Sequence, residues 1–133
     1  MNKLHKSGVV ILDFGSQYTQ LIARRIREQN VYSEILPPET AFNDILSREP
    51  AALILSGGPS SVYEKDTPDF DTAILDSELP TLGICYGLHL LAQHQGGVVE
   101  STGQGEYGFA EITAENESGL LSDISSPSKV WMS

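Results

Sequence analysis

The sequence predicts an α/β protein: a doubly wound, mostly parallel sheet with helices on both faces. Three observations lead to this fold class. Short apolar runs recur along the chain, helix-like segments lie between them, and turns rich in glycine and small polar residues follow the runs. Strands that alternate with helices pair in parallel, because each crossover returns the chain to the same end of the sheet. Ligands of such sheets gather at the carboxyl ends of the strands.

The first half of the chain contains two predicted pairs of strand and helix. Val9-Val10-Ile11-Leu12 is an unbroken apolar run, which is typical of a parallel strand buried on both faces. After the turn Gly15-Ser16-Gln17, apolar residues recur at helical spacing up to about Asn30. Residues 32–36 predict a second strand that two prolines close, and residues 40–49 predict a short helix that the next proline ends.

The second half repeats this pattern. Residues 51–55 form another apolar run, and the turn Ser56-Gly57-Gly58-Pro59 follows at once. Residues 70–77 predict a brief helix, and residues 81–84 predict a fourth strand. The helix after this strand ends near Gln95, where two glycines follow. Three turns are therefore expected at one edge of the sheet, and we place the candidate site there.

The pattern changes beyond Val98. Short alternating stretches predict antiparallel strands at the edge of the sheet; one is residues 109–113, and residues 129–133 begin another. The 133 residues are enough for one packed core and too few for two ordinary domains. Because the chain stops inside strand-like sequence, we expect residues 1–133 to form a partial domain that is incomplete at the C-terminus.

Composition limits the partners of the protein. A net charge of −10 with only eight Lys and Arg argues against binding to nucleic acid or to an anionic membrane. Arg24, Arg25 and Arg27 are interpreted as a solvated or partner-facing side of a helix. The single cysteine excludes an intrachain disulfide, and no apolar leader or membrane-length run is present, so we expect a cytoplasmic protein. One cysteine and scattered histidines offer no spacing for a metal site.

The most informative local pattern surrounds Cys85. Gly83-Ile84-Cys85-Tyr86-Gly87 joins a predicted strand to a predicted helix, and Gly-x-Cys-x-Gly is the cysteine form of a nucleophile elbow. The backbone N–H groups at a helix N-terminus favour negative charge and can stabilise an oxyanion. A buried core cysteine is the alternative for a lone thiol, but the two glycines and the strand-to-helix context favour a nucleophile.

Two backbone N–H groups are candidate oxyanion donors, those of Tyr86 and Gly58. Tyr86 follows the nucleophile, and Gly58 lies on a turn at the same sheet edge. The alternative for Gly57 and Gly58 is a turn that merely requires positive φ.

The general base is harder to place. His5 lies in a polar leader, His89 lies one turn into the elbow helix and His94 lies near the end of that helix. A base for an elbow nucleophile normally comes from a different strand end, so His89 fits better as part of the pocket wall than as the base. His94 is interpreted as a residue of the helix surface.

Taken together, these segments resemble the class I (triad) glutamine amidotransferases, over nearly the whole chain. The elbow and the Ser-Gly-Gly-Pro turn mark the superfamily. Residues 10–28 are similar to the amidotransferase domains of glutamine-hydrolysing GMP synthases. The segments that carry the resemblance are residues 10–28, 55–62, 83–87 and 106–110.

The resemblance implies a flavodoxin-like amidotransferase fold and a glutaminase reaction. Cys85 would form a γ-glutamyl thioester and release ammonia, with Gly58 and Tyr86 as the oxyanion donors. Gly57, His89 and Ser133 would bind the substrate.

The chain departs from the family in three places. The family usually has Gln where this chain has His89, and Arg where it has Phe109. The family's catalytic His and Glu lie in a His-x-Glu segment that these residues do not contain. We therefore expect little glutamine hydrolysis by the isolated chain.

The resemblance also implies cofactors and partners. The substrate would be L-glutamine, and the ammonia would pass to an ATP-pyrophosphatase domain or subunit that aminates XMP to GMP. The glutaminase half-reaction would need no cofactor, whereas the full-length enzyme would use ATP and Mg and form a homodimer. Two alternatives remain open. One is an amidotransferase of the anthranilate or carbamoyl-phosphate type, which should lack residues 15–20; the other is a non-catalytic binding or regulatory module that kept the fold.

Overall fold

The computed structural model of the chain describes residues 8–58, 69–100, 108–114, 119–124 and 127–132. The chain divides after Val99 into two compact units. The first unit contains a parallel sheet with its helices, and the second contains an antiparallel ribbon. None of the helices in the described ranges is long and apolar enough to cross a membrane.

The first unit is built on four parallel strands in the order β2-β1-β3-β4. In the register of the sheet, Leu12 at the end of β1 lies beside Leu36 of β2 and Leu55 of β3. Leu55 in turn lies beside Gly83 of β4, so all four strands end at the same level. The strands are β1 (Val9–Leu12), β2 (Ser33–Leu36), β3 (Ala52–Leu55) and β4 (Thr81–Gly83).

The two central strands are buried on both faces, as their unbroken apolar runs predict. Val10 and Leu12 of β1 belong to one core cluster, whereas Ile11 between them belongs to the other. Strand β3 divides in the same way, with Ile54 on the second face. The parallel sheet with helices on both faces is therefore confirmed.

Helix α1 (Thr19–Glu28) covers one face with Ala23, and helices α2 (Phe42–Ser47) and α3 (Tyr86–His94) contribute to the core on the other. The helix boundaries lie within about two residues of the predicted ones, which is the usual uncertainty at helix ends. Arg24 and Arg25 lie on the polar side of α1, as predicted, and form exposed ion pairs with Glu28. Arg27 differs from the prediction, because its guanidinium donates to the Ser33 carbonyl of β2 at 3.0 Å.

The predicted helix at residues 70–77 is a 3-10 helix, Thr72–Asp76. Asp71 caps it, because its carboxylate accepts the Ala73 N–H at 3.0 Å. The same carboxylate accepts the Phe42 N–H at 2.9 Å and so joins this helix to α2. These two backbone N–H groups, Phe42 first, lower the pKa of Asp71 below its ordinary value.

The second unit contains β5 (Gly108–Ile112) and β6 (Ser128–Met132), which pair in antiparallel fashion. The antiparallel pairing is as predicted, but the position at the edge of the parallel sheet is wrong, since the two strands form a sheet of their own. Alternation in sequence indicates an antiparallel strand with one polar face, but it does not identify the sheet that the strand joins. Phe109 lies opposite Trp131, and both side chains are exposed.

Candidate active site

A cleft of about 340 Å³ lies where the carboxyl ends of the parallel strands meet. It forms because β1, β3 and β4 end level, so the turns that follow them face one another. Its volume is near the lower end of the range for small-ligand sites, about 300–1,000 Å³. The residues that line it are Gly15, Ser16, Gln17, Tyr18, Gly57, Gly58 and Cys85.

Cys85 has a strained backbone at the N-terminus of α3, with φ 51° and ψ −110°. A non-glycine residue in such a region costs about 1–3 kcal/mol and persists only where its surroundings impose it. The constraint comes from the two elbow glycines. A Cβ on Gly83 would lie 2.6 Å from the backbone N and Cα of Leu88, and a Cβ on Gly87 would lie 2.2 Å from the carbonyl oxygen of Leu55. Only glycine therefore lets strand and helix approach closely enough to form this turn.

The thiol of Cys85 is exposed rather than packed in the core, so the alternative of a buried core cysteine is wrong. Gly57 lies against it: a Cβ on Gly57 would lie 3.2 Å from the Cβ of Cys85 and 3.9 Å from its Sγ. The missing side chain at position 57 thus leaves room beside the sulfur for a substrate.

Gly58 and Tyr86 each present a backbone N–H with no hydrogen-bond acceptor among the described residues. Tyr86 is the first residue of α3, where N–H groups lack intrahelical partners. The alternative that Gly57 and Gly58 merely form a turn that requires positive φ is wrong, because neither residue has a positive φ. Close packing explains Gly58 instead, since a Cβ there would lie 2.3 Å from the carbonyl oxygen of Phe14. Donors of this kind are suited to stabilising an oxyanion.

The loop from β1 to α1 forms the opposite wall of the cleft, and hydrogen bonds fix its shape. One carboxylate oxygen of Asp13 accepts the Gly15 N–H at 2.9 Å and the Thr19 hydroxyl at 3.0 Å. The Ser16 hydroxyl accepts the Tyr18 N–H at 3.0 Å. Sequence reasoning assigned no role to Asp13 or Thr19. An Asp two residues before a glycine is a known turn pattern and is the signal that could have found the first of them.

The histidines of the described residues do not line the cleft. The backbone N–H of His89 donates to the carbonyl of Cys85 at 3.0 Å, but its side chain is exposed and is not among the lining residues. His94 is exposed on α3, as predicted, and its Nε2 lies 2.7 Å from an Asp76 carboxylate oxygen. His5 and Ser133 lie outside the described residues. The roles of His89 and Ser133 in substrate binding remain predictions.

No histidine and no carboxylate lines the cleft within the described ranges. The same ranges hold no group of three or more His, Cys, Asp or Glu side chains that could bind a metal ion. Among the described residues, the reactive group of the cleft is the Cys85 thiol, and the N–H groups of Gly58 and Tyr86 are the candidate oxyanion donors.

Comparisons with known proteins identify the family of the chain. The family model for class-I glutamine amidotransferases matches residues 10–133. GMP synthase [glutamine-hydrolyzing] of Campylobacter lari is 49% identical over 130 residues, which are 98% of this chain and 25% of that protein. The enzyme of the same name from Natranaerobius thermophilus is 51% identical over 125 residues, 94% of this chain and 24% of that protein.

The fold has a counterpart among solved structures. A crystal structure described as that of a GMP synthase subunit from Thermoplasma acidophilum superposes with a TM-score of 0.75 at 25% identity. The superposition covers 96% of this chain and 64% of that one. The chain thus spans about a quarter of the length of the curated relatives, and it matches their glutamine amidotransferase part. Sequence, fold and site geometry agree that the chain belongs to the class-I glutamine amidotransferase family.

Proposed function

We propose that this chain is the glutaminase part of a GMP synthase. It hydrolyses L-glutamine through a thioester on Cys85 and supplies ammonia for the conversion of XMP to GMP. The observation that carries the proposal is the exposed Cys85 thiol at a strained helix N-terminus, together with the N–H groups of Gly58 and Tyr86, which have no acceptor among the described residues. The names of the relatives support the choice of pathway over the anthranilate and carbamoyl-phosphate types.

The first half of the reaction forms the thioester. The Cys85 sulfur attacks the side-chain amide carbon of glutamine after a base has taken the thiol proton. As the C–S bond forms, the amide oxygen becomes an oxyanion and accepts hydrogen bonds from the Gly58 and Tyr86 N–H groups. The protonated base then gives its proton to the amide nitrogen, the C–N bond breaks and ammonia leaves.

The second half releases the product. Water attacks the thioester carbon with the same base accepting a proton, and the same two N–H groups stabilise the second oxyanion. The C–S bond breaks, the thiol is restored and glutamate leaves. Gly57 contributes by leaving space beside the sulfur for the substrate amide.

The base must reach the thiol from outside the described residues, since the cleft lining that they provide holds no histidine and no carboxylate. The resemblance to the family assigns this role to the histidine and glutamate of a His-x-Glu segment, which the 133 residues do not contain. We therefore expect the isolated 133 residues to hydrolyse little glutamine.

The remaining parts of the proposal concern partners. A synthetase domain or subunit with ATP-pyrophosphatase activity receives the ammonia, and ATP and Mg are bound there rather than in the cleft described above. We further propose that the complete enzyme is a homodimer. The cytoplasm is the proposed compartment, because a free catalytic thiol functions under reducing conditions.

Glutamate release from glutamine tests the proposal. It is measured, with XMP, ATP and Mg, on the complete enzyme in which the His-x-Glu segment and the synthetase accompany these 133 residues. Cys85→Ser is the control, since serine keeps the size of the side chain but lacks the nucleophilic sulfur. We expect glutamate and GMP to form in equal amounts with the native protein and neither with the variant. Glutamate release without GMP would favour another pathway, and no release from a folded protein would favour a non-catalytic module.

A further inference from the structure

Ser56 hydrogen-bonds to all three turns that form the cleft. It follows β3 and is fully buried, with a relative exposure of 0%. Its hydroxyl accepts the Phe14 N–H at 2.9 Å, from the turn after β1, and donates to the Gly57 carbonyl at 2.9 Å. Its own carbonyl accepts the Gly87 N–H of the elbow helix at 3.2 Å, and the Ile84 carbonyl shares that N–H at 3.0 Å. One residue thus links the nucleophile turn to the turn that carries the oxyanion donor.

The direction of the Ser56 hydroxyl proton follows from these contacts. The Phe14 N–H can only donate, so the serine oxygen is the acceptor in that bond. The single hydroxyl proton is then left for the carbonyl of Gly57. Because the site is closed to solvent, water does not replace either bond when the hydroxyl is removed.

The bond to the Gly57 carbonyl also fixes the Gly58 N–H, because both belong to one peptide unit. A trans peptide is planar, and its C=O and N–H point in opposite directions. Two consecutive glycines would otherwise leave this peptide unusually free to rotate. With its carbonyl held by Ser56, the peptide can present its N–H only on the opposite side, and Gly57 and Gly58 both line the cleft.

We propose that Ser56 is a positioning residue for the oxyanion site. Its hydroxyl sets the orientation of the Gly57–Gly58 peptide, and its carbonyl holds the elbow in register through Gly87. This inference rests on the proposed glutaminase function. Ser56 does not touch the reacting atoms, and it acts through the Gly58 N–H.

Ser56→Ala tests the proposal in the complete enzyme, in which the His-x-Glu segment and the synthetase accompany these 133 residues. The variant keeps the backbone carbonyl of residue 56 and its bond to Gly87, but it removes the hydroxyl that holds the Gly57–Gly58 peptide. We expect kcat for glutamate release to fall about 100-fold, the usual effect of losing one oxyanion donor, with KM changed by less than about threefold. The rate of Cys85 alkylation by iodoacetamide should change by less than about threefold, because that displacement forms no oxyanion.

Ser33→Ala is the matched control. Ser33 is also fully buried, and its hydroxyl donates to the Ala23 carbonyl at 2.9 Å on the face covered by α1. Loss of this bond should also lower the melting temperature, although by less than Ser56→Ala does, because the Ser33 hydroxyl makes one buried hydrogen bond to the backbone and the Ser56 hydroxyl makes two. It should leave kcat unchanged. A general effect of reduced stability would therefore appear in both variants, and a positioning effect only in Ser56→Ala.

Two results would overturn the proposal while the native protein releases glutamate. One is a Ser56→Ala kcat within about threefold of the native value. The other is a parallel loss of kcat and alkylation rate, which would indicate collapse of the elbow. If the alanine variant does not fold, Ser56→Thr decides, since it keeps the hydroxyl: kcat within about fivefold of native supports the proposal, and a loss of about 100-fold overturns it. No glutamate release by the native protein would instead remove the proposed function, and this inference with it.

Discussion

Gly87→Ala is the substitution for which the structure gives the largest expected effect. A Cβ at this position would lie 2.2 Å from the carbonyl oxygen of Leu55, 2.6 Å from its Cβ and 2.7 Å from its carbonyl carbon. An ordinary contact between carbon and oxygen is about 3.3 Å or longer, so the variant needs roughly 1 Å of movement. Strand β3 is held by β1 on one side and β4 on the other, so α3 has to move.

The cost of that movement follows from the packing. Overpacking a filled core costs about 1–3 kcal/mol, and a clash with a strand backbone belongs at the upper end of this range. For a domain of this size, about 3 kcal/mol corresponds to a decrease of roughly 10 °C in melting temperature. The same movement separates Cys85 from the Gly58 N–H by about 1 Å, and a displacement of that size can reduce catalysis about 100-fold.

Thermal unfolding followed by circular dichroism measures the first effect, and glutamate release well below the melting temperature measures the second. Gly96→Ala is the control at the other end of α3. A Cβ there would meet nothing within 4 Å, although the φ of +89° adds backbone strain. It should cost about 1–2 kcal/mol through backbone strain alone and leave kcat unchanged. A Gly87→Ala protein that melts within about 2 °C of native with full activity would refute the close-packing argument.

Three further predictions concern single side chains. Gly57→Ala should keep the melting temperature but lower kcat/KM for glutamine about tenfold, because the added methyl group would lie 3.2 Å from the Cβ of Cys85; unchanged kinetics would show that the space beside the sulfur is not used. Asp71→Ala should lower the melting temperature at neutral pH and by progressively less in acid, since a carboxylate with a lowered pKa stabilises the fold above its ordinary pKa and loses this effect as pH falls through the lowered value; a decrease that does not change with pH would contradict this origin. His89→Gln should lower KM for glutamine, because the resemblance to the family implies that a Gln at this position helps to hold the substrate; an unchanged KM would exclude His89 from substrate binding.

The sequence was sufficient to predict the central sheet and the position of the cleft. Val9–Leu12 and Ala52–Leu55 are unbroken apolar runs because both of their faces are buried, and this burial is a direct cause of the pattern. The elbow was predictable for a similar reason. Its glycines are required by contacts with backbone atoms, so the requirement is visible as a fixed spacing around Cys85.

Other features of the site depend on contacts between distant residues, which a local pattern does not reveal. The bond from Phe14 to Ser56 joins positions 42 residues apart. Asp71 likewise accepts the N–H of Phe42, which lies 29 residues away. It also caps a 3-10 helix, which the structure has in place of the predicted brief helix. The ribbon of β5 and β6 shows the same limit, because alternation predicts antiparallel pairing but leaves the choice of sheet open.

The central claim is that Cys85 is the nucleophile of a glutamine site, and covalent labelling tests it most directly. The folded full chain is treated with 6-diazo-5-oxo-norleucine, an electrophile that mimics glutamine, and the adduct is located by mass spectrometry. The account predicts one adduct, on the peptide that contains Cys85, formed more slowly in excess glutamine and absent from Cys85→Ala. A folded protein that gives no adduct, or an adduct that glutamine does not slow, would contradict it.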